Sequence, residues 1–178
     1  IRPAIYAIYG YVRLADEIVD SFHDYNKQEL LERFRIYTLE ALDEGISLNP
    51  LLNSFQETVN NYNIDRSLID KFLDSMEMDL KSVDYNSDLY QEYILGSAEV
   101  VGLMCLQVFV EGNTAMFESL KPYAMKLGSA FQKVNFLRDF KDDYQILGRT
   151  YFPNIEMGVF NNRIKSQIEM EIENEFKE

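Results

Sequence analysis

Two pairs of aspartates are the residues whose type and spacing suggest chemistry most clearly. Asp16 and Asp20 are four residues apart, and so are Asp139 and Asp143. Residues at this spacing share one face of a helix, where like charges repel and destabilise the helix. A pair of this kind is ordinary in an acidic protein, but two pairs in one chain indicate a site where carboxylates hold a hard cation.

An arginine accompanies each acidic pair: Arg13 precedes the first pair and Arg138 the second. For one helix alone, the favoured interpretation is a solvated face held by ion pairs. Two helices with matching stripes favour a binding site instead. Without a metal the clustered carboxylates repel each other, so we expect raised pKa values or arginine counter-ions among them. We also expect the two acidic helices to face each other across a central cavity.

The second acidic helix carries a narrow polar stripe bordered by aromatic side chains. The polar positions are Gln132, Asn135, Asp139 and Asp143, within roughly 80° of arc, and the borders are Phe131, Phe136 and Phe140. Polar residues would border an ordinary solvated face, so this stripe is predicted to line a cavity. Carboxylate oxygens suit Mg²⁺, which also takes phosphate oxygens of a substrate. Arginine can neutralise a diphosphate.

Two tyrosines on the first helix, Tyr6 and Tyr9, share the face of Asp16 and Asp20. Farther along, small and apolar residues near Tyr93 share a helix face. That face could be the floor of a channel, although close packing between helices explains small residues equally well. We expect Tyr93 to line the same cavity as the aromatic border of the second stripe.

Composition excludes several classes of protein. The 178 residues are 47% hydrophobic with a net charge of -13, which argues against disorder and against a nucleic-acid partner. Cys105 is the single cysteine, so no intramolecular disulfide forms, in keeping with a reducing compartment. The longest apolar run, residues 100–110, is shorter than a membrane span. With one histidine, His23, nothing supports nucleophilic catalysis.

Apolar periodicity predicts helices throughout and no strand. The predicted helices are residues 2–22, 27–44, 49–62, 65–81, about 88–110, 122–144 and 161–177, with a turn at Thr114 and a loop at 148–160. The prediction is an all-α bundle in one domain, residues 1–178. Both ends of the chain fall within predicted helix, so we expect a fragment.

In combination, these residues resemble the squalene/phytoene synthase family of head-to-head prenyl transferases, and bacterial phytoene synthases most. The matching motifs are Arg13-x-x-Asp16-x-x-x-Asp20, Met78-Asp79-Leu80, Tyr93 with Val101-Gly102, Gln132-x-x-Asn135-x-x-Arg138-Asp139-x-x-x-Asp143 and Gly148-Arg149-x-Tyr151-x-Pro153. Their order and spacing match over nearly the whole chain. The last two motifs together are highly specific.

The resemblance implies an isoprenoid-synthase helical bundle around a central cavity, truncated at both ends. It also implies that this fragment is inactive on its own, because part of the cavity wall is missing. It implies that two geranylgeranyl diphosphates join through a cyclopropyl diphosphate intermediate to give phytoene, in carotenoid biosynthesis, with Mg²⁺ or Mn²⁺. The implied metal ligands are Asp16, Asp20, Asn135, Asp139 and Asp143; the implied diphosphate ligands are Arg13, Arg138 and Arg149. Tyr6, Tyr9, Tyr93 and Phe131 would shield a carbocation, and Gln132 would orient a diphosphate or a water.

Three alternatives remain open at this point. The first is a squalene or dehydrosqualene synthase that uses farnesyl diphosphate, with NADPH needed only for squalene. The second is a non-enzymatic relative acting as an assembly factor, which the four intact aspartates argue against. The third is a structural helical bundle with a dry core between the acidic helices. For the synthases we expect a cytoplasmic protein loosely attached to the membrane surface, and oligomeric state is left open.

Overall fold

Helices make up nearly all of the part of the chain that the computed structural model describes, which is residues 1–81, 86–142, 151–153 and 160–177. They are α1 (Arg2–Asp20), α2 (Lys27–Glu44), α3 (Pro50–Tyr62), α4 (Arg66–Asp79), α5 (Ser87–Ile94), a π-helix (Leu95–Glu99), α6 (Val100–Phe109), α7 (Thr114–Asp142) and α8 (Asn162–Lys177). The predicted all-α fold class is confirmed.

Side chains that cap helix N-termini explain why the helices begin where they do. The side chain of Asn26 accepts a hydrogen bond from the N–H of the third residue of α2, and Asn49, Asp65 and Asn86 cap α3, α4 and α5 in the same manner. A cap satisfies a backbone N–H that has no partner within the helix. Gly45 ends α2 at a φ of 69°, a conformation that favours glycine.

The start of α7 differs from the sequence prediction, which placed a turn at Thr114 and a new helix at Pro122. One helix runs through both positions, with Pro122 inside it. It begins after Asn113, whose side chain accepts a hydrogen bond from the N–H of Met116. Proline removes one hydrogen bond from a helix, but α7 packs along α6, the π-helix and α8. This tertiary packing offsets the local loss.

The helix predicted for residues 88–110 contains a π-helix that periodicity did not indicate. At its start, Gly96 lies directly against α4: a Cβ there would be 2.6 Å from the carbonyl oxygen of Lys71 and 2.6 Å from the Cβ of Ser75. The same stretch touches α7 at two other points, because a Cβ on Gly102 or on Gly128 would lie 2.9 Å from a backbone oxygen of the facing helix. Of the two interpretations of the small-residue face, a channel floor or close packing between helices, close packing applies at Gly96.

Three clusters of buried side chains hold the described helices together, two large ones and a small one around Leu103 and Leu106 between α6 and α7. The largest cluster joins the four helices α1, α2, α3 and α4 with α6. In it the fully buried ring of Tyr11 stacks on Phe55, with ring centroids 3.7 Å apart. The second cluster is aromatic and joins α5, α7 and the segment 151–153. There the Tyr151 ring stacks on Phe136 at 4.3 Å, and Tyr93 lies 5.0 Å from Tyr151.

The continuous helical stretch Ser87–Phe109 is long and apolar enough to cross a membrane by length and composition. It is longer than the apolar run of residues 100–110 considered in the sequence. Within the fold it occupies a central place: 44% of its most apolar window is buried, and α6 contacts α1, α4 and α7. A core helix has these properties as well.

Replacing Gly96 with alanine should destabilise the fold, because the new Cβ would meet backbone and a short side chain that cannot move aside. We expect Gly96→Ala to lower the free energy of unfolding by about 1–3 kcal/mol. Gly10→Ala is the matched control, since its Cβ would meet only Leu51 at an ordinary 3.5 Å; it should be neutral or stabilise by up to about 1 kcal/mol. Urea unfolding followed by circular dichroism measures both, and equal stability of the two variants would contradict the packing described.

Candidate functional site

The first acidic pair lies on α1, with both carboxylates half-buried at the edge of the core. A guanidinium nitrogen of Arg13 lies 3.3 Å from the carboxylate of Asp16, and the same guanidinium also pairs with Glu17. Burial, and after it the charge of Asp20, raise the pKa of Asp16 to about 6, although Arg13 opposes both effects. The raised pKa and the arginine counter-ion were both expected from the sequence.

The second acidic stripe lies on α7, where Asn135 and Asp139 are half-buried. Arg138 donates to both oxygens of Asp139, over 2.7 and 2.6 Å. This hydrogen-bonded pair lowers the pKa of Asp139, because it stabilises the charged form. Asp143 and Arg149, which the sequence analysis assigned to metal and diphosphate binding, lie outside the described residues, so those assignments stay predictions.

One helix connects the two stripes, because α6 contacts both α1 and α7. That the stripes face each other across a cavity stays a prediction. Within the described ranges, no three His, Cys, Asp or Glu side chains cluster closely enough to hold a metal by themselves. The side-chain oxygens that Asp16, Asp20, Asn135 and Asp139 offer nevertheless suit Mg²⁺. Burial first, and the charge of Asp20 second, raise the pKa of Asp16, and a cation would oppose both effects.

An apolar pocket of about 510 Å³ lies between α7 and the wall formed by the π-helix and α6. The close contacts at Gly102 and Gly128 hold the two walls together, and exposed larger side chains, among them Phe109, Tyr123 and Phe131, line the open side of the space. The lining residues are Ser97, Ala98, Val101, Gly102, Cys105, Leu106, Phe109, Leu120, Tyr123, Ala124, Leu127, Gly128, Phe131 and Gln132.

The pocket has a polar end and an apolar end. Gln132 lies at the polar end, one helical turn before Asn135 on the acidic stripe. Phe109 marks the other end, roughly 18 Å farther along the helix from Ser97 at the helical rise of about 1.5 Å per residue. The structure thus joins the predicted site residues Phe131 and Gln132 to an elongated apolar space. Such a space accommodates a hydrocarbon chain whose charged head lies toward the stripe.

The predicted tyrosines lie elsewhere. Tyr6 and Tyr9 are 59% and 65% exposed on α1, and the hydroxyl of Tyr6 accepts hydrogen bonds from Arg2. Tyr93 is buried in the aromatic cluster and is not among the residues that line the pocket with Phe131. The expectation that Tyr93 and Phe131 line one cavity therefore fails for this pocket. The proposed shielding role of the three tyrosines stays a prediction.

Asp79, at the end of α4, is a residue to which the sequence analysis gave no role. Its carboxylate is buried, with 8% exposure for the residue, and accepts hydrogen bonds from Tyr93 over 2.7 Å and Tyr151 over 3.0 Å. The sequence did contain a signal, since Met78-Asp79-Leu80 is one of the motifs that carried the resemblance.

Comparison with known proteins gives concordant results. A sequence model described as squalene/phytoene synthase matches residues 1–167. Phytoene synthase 1, chloroplastic, of Solanum lycopersicum is 34% identical over 163 residues, covering 88% of this chain and 38% of that protein. The 4,4'-diapophytoene synthase of Staphylococcus haemolyticus is 26% identical over 176 residues, covering 94% of this chain and 58% of that protein.

A solved structure, a dehydrosqualene synthase in complex with ligand, superimposes with a TM-score of 0.81 at 24% identity. It covers 98% of this chain, and the chain covers 64% of it. This likeness shows the fold, a helical bundle of the isoprenoid-synthase type. The chain spans about two fifths of the length of the plant relatives it matches.

The raised pKa of Asp16 predicts how stability changes with pH in the metal-free protein. A carboxyl whose pKa is higher in the folded state stabilises folding below its unfolded pKa, and this contribution is lost as pH rises through about 6. Asp16→Asn should therefore melt at a higher temperature than wild type at pH 7.5, with the gap closing by pH 4. Asp139→Asn, where Arg138 lowers the pKa, should show no such gain. A lower melting temperature for Asp16→Asn at pH 7.5 would contradict the assignment.

Proposed function

The chain belongs to the squalene/phytoene synthase family, and we propose that the protein carrying it condenses two prenyl diphosphates head to head. The observation that carries this proposal is the elongated apolar pocket whose polar end adjoins the stripe of Asn135 and Asp139. A prenyl diphosphate has the same two parts, a long hydrocarbon chain and a doubly charged head. A structural bundle with a dry core would not need such a pocket.

We propose geranylgeranyl diphosphate as the substrate, phytoene as the product and a cyclopropyl diphosphate as the intermediate. Similarity to phytoene synthases at 31–35% identity supports this choice. A specific observation favours a second candidate, the condensation of farnesyl diphosphate to dehydrosqualene. The relative from Staphylococcus haemolyticus is a 4,4'-diapophytoene synthase, and the similar solved structure is a dehydrosqualene synthase.

The polar residues would act on the diphosphate heads. Asp16, Asp20 and Asp139, with Asn135, would hold Mg²⁺, and the metal would supply positive charge to the leaving diphosphate. Carboxylates alone would repel that substrate, so the side chains need cationic partners on the same face.

Arg13 and Arg138 already lie on the acidic faces, paired with Asp16 and Asp139. Guanidinium groups bind phosphate oxygens through paired hydrogen bonds, so these arginines can turn from the carboxylates to the leaving diphosphate.

The apolar pocket would act on the hydrocarbon part. Its walls would hold the chain in one orientation, which aligns the carbon that loses the diphosphate. Gln132 and Phe131 lie where the pocket approaches the polar stripe. There the amide can orient a diphosphate oxygen, and the aromatic face can stabilise positive charge on the adjoining carbon.

Neutralising one carboxylate of each stripe should abolish turnover. We expect Asp16→Asn and Asp139→Asn in the full-length protein to reduce product formation by at least about a hundredfold, because each removes a charged ligand from the diphosphate site. The assay supplies geranylgeranyl or farnesyl diphosphate with Mg²⁺, with and without NADPH, and identifies the hydrocarbon. Circular dichroism checks that helix content is retained. The control is Asp43→Asn, which removes the exposed ion pair between Asp43 on α2 and Arg66. Wild-type turnover in folded Asp16→Asn would contradict the proposal.

Filling the pocket midway should shift the preferred chain length. Cys105 lines the pocket, eight residues beyond Ser97 along the wall. A phenylalanine there would exclude the far end of a long chain, so we expect Cys105→Phe to lower kcat/KM for the C20 substrate about tenfold or more relative to the C15 substrate. Cys105→Ala, which leaves the pocket open, should keep the wild-type ratio. An unchanged ratio in Cys105→Phe would show that the hydrocarbon lies elsewhere.

A further inference from the structure

The buried carboxylate of Asp79 joins three parts of the chain that are distant in sequence. It lies at the end of α4, while its two phenol donors come from α5 and from the segment 151–153, 14 and 72 residues away. Each donor reaches a different carboxylate oxygen. An ionised carboxylate is an acceptor at both oxygens, so this arrangement suits the charged form. Burying such a charge is costly unless donors compensate it.

Each of the two tyrosines leads to one wall of the candidate site. Tyr93 is two residues before the π-helix, whose Ser97 and Ala98 begin the pocket wall. The ring of Tyr93 therefore lies about one helical turn before the start of that wall. The phenol hydrogen bond to Asp79 holds the ring against α4.

Tyr151 leads to the opposite wall. Its ring stacks on Phe136 at 4.3 Å with an angle of 12° between the planes. Phe136 directly follows Asn135 on α7 and precedes Asp139 by one turn, so the stacked pair supports the buried back of the helix that presents the polar stripe. Phe136 also lies 5.8 Å from the ring of Tyr93, which closes the connection between the two walls.

We propose that Asp79 is a positioning residue for the head-to-head condensation: by accepting hydrogen bonds from Tyr93 and Tyr151 it sets the pocket wall and the α7 stripe in register. This inference rests on the proposed function. Asp79 does not need to touch the substrate for this role. Each wall can still bind its part of the substrate when the connection is lost, but the reacting carbons are then misaligned, and misalignment lowers rate more than binding.

Three substitutions in the full-length protein test the role. Asp79→Asn keeps the shape and removes the charge, while Tyr151→Phe and Tyr93→Phe keep the rings and remove one donor each. We expect Asp79→Asn to lower kcat about tenfold or more with KM for the prenyl diphosphate within about threefold. The kcat of Tyr151→Phe should fall by a similar factor. The double variant Asp79→Asn/Tyr151→Phe should have a kcat no lower than that of Asp79→Asn alone, since both substitutions act through one connection.

A control separates positioning from a simple loss of stability. Thr38 is buried on α2 and donates to the carbonyl oxygen of Phe34 over 2.7 Å, so Thr38→Val also removes one buried hydrogen bond. It should lower the melting temperature and leave kcat unchanged at a temperature where all variants are folded. NMR gives a readout that is independent of turnover. The ¹³Cζ chemical shifts of Tyr93 and Tyr151 should change in Asp79→Asn and should keep their wild-type values in Thr38→Val.

The outcomes are distinct. If the wild type is active and the kcat of Asp79→Asn is within threefold of the wild-type value, the positioning role is overturned and the proposed function stands. A loss of kcat in Thr38→Val equal to that in Asp79→Asn has the same consequence. Additive losses in the double variant also overturn the positioning role, because they indicate separate effects. If Asp79→Asn does not fold, Tyr151→Phe and Tyr93→Phe decide by the same split between kcat and KM. A full-length wild type that forms no head-to-head product contradicts the proposed function and, with it, the inference.

Discussion

Close backbone contact along one central helix is the constraint on which the rest of the structure depends. The stretch Ser87–Phe109 touches α4 at Gly96 and α7 at Gly102, and Gly128 of α7 lies against Ala98 of the same stretch. No larger residue fits at these points without moving a helix. Because the backbones meet there, the spacing of the two walls is fixed, and the larger side chains around the contact leave an elongated apolar pocket. The π-helix places the first contact and the pocket wall on different sides of the same helix.

Charge is distributed to match that pocket. The chain has a net charge of -13, and its acidic stripes adjoin the core, where burial and repulsion raise the pKa of Asp16. An anionic lipid would be repelled by such a surface unless cations accompany it. Arginines on both stripes and oxygen ligands suited to Mg²⁺ supply that condition. Asp16 and Asp139 differ in their surroundings: partial burial with Arg13 as counter-ion on α1, and an arginine fork on α7.

The sequence predicted the helical class and most helix boundaries, because apolar periodicity and capping residues such as Asn49 act locally. Phe131 and Gln132, which the stripe pattern singled out, line the pocket between α6 and α7, while the central cavity between the acidic helices stays a prediction. The sequence missed the π-helix and the continuation of α7 through Pro122, which depend on packing against other helices. Tyr93 was expected in the pocket because helical spacing shows which residues share a face. Spacing does not show that a buried carboxylate from another helix, Asp79, takes the hydroxyl.

The central claim is that a prenyl chain lies in the α6–α7 pocket with its diphosphate on the acidic stripes. The most direct test is a crystal structure of the full-length protein with Mg²⁺ and an unreactive thiolo analogue of geranylgeranyl diphosphate. We expect the hydrocarbon between Gly102 and Gly128 on one side and Phe109 on the other. We expect the diphosphate, with metal, between the carboxylates of Asp16 and Asp139. An analogue bound with its chain outside this pocket, or stripes that point to separate solvent-facing surfaces with a packed apolar core between them, would contradict the proposed function at its physical basis.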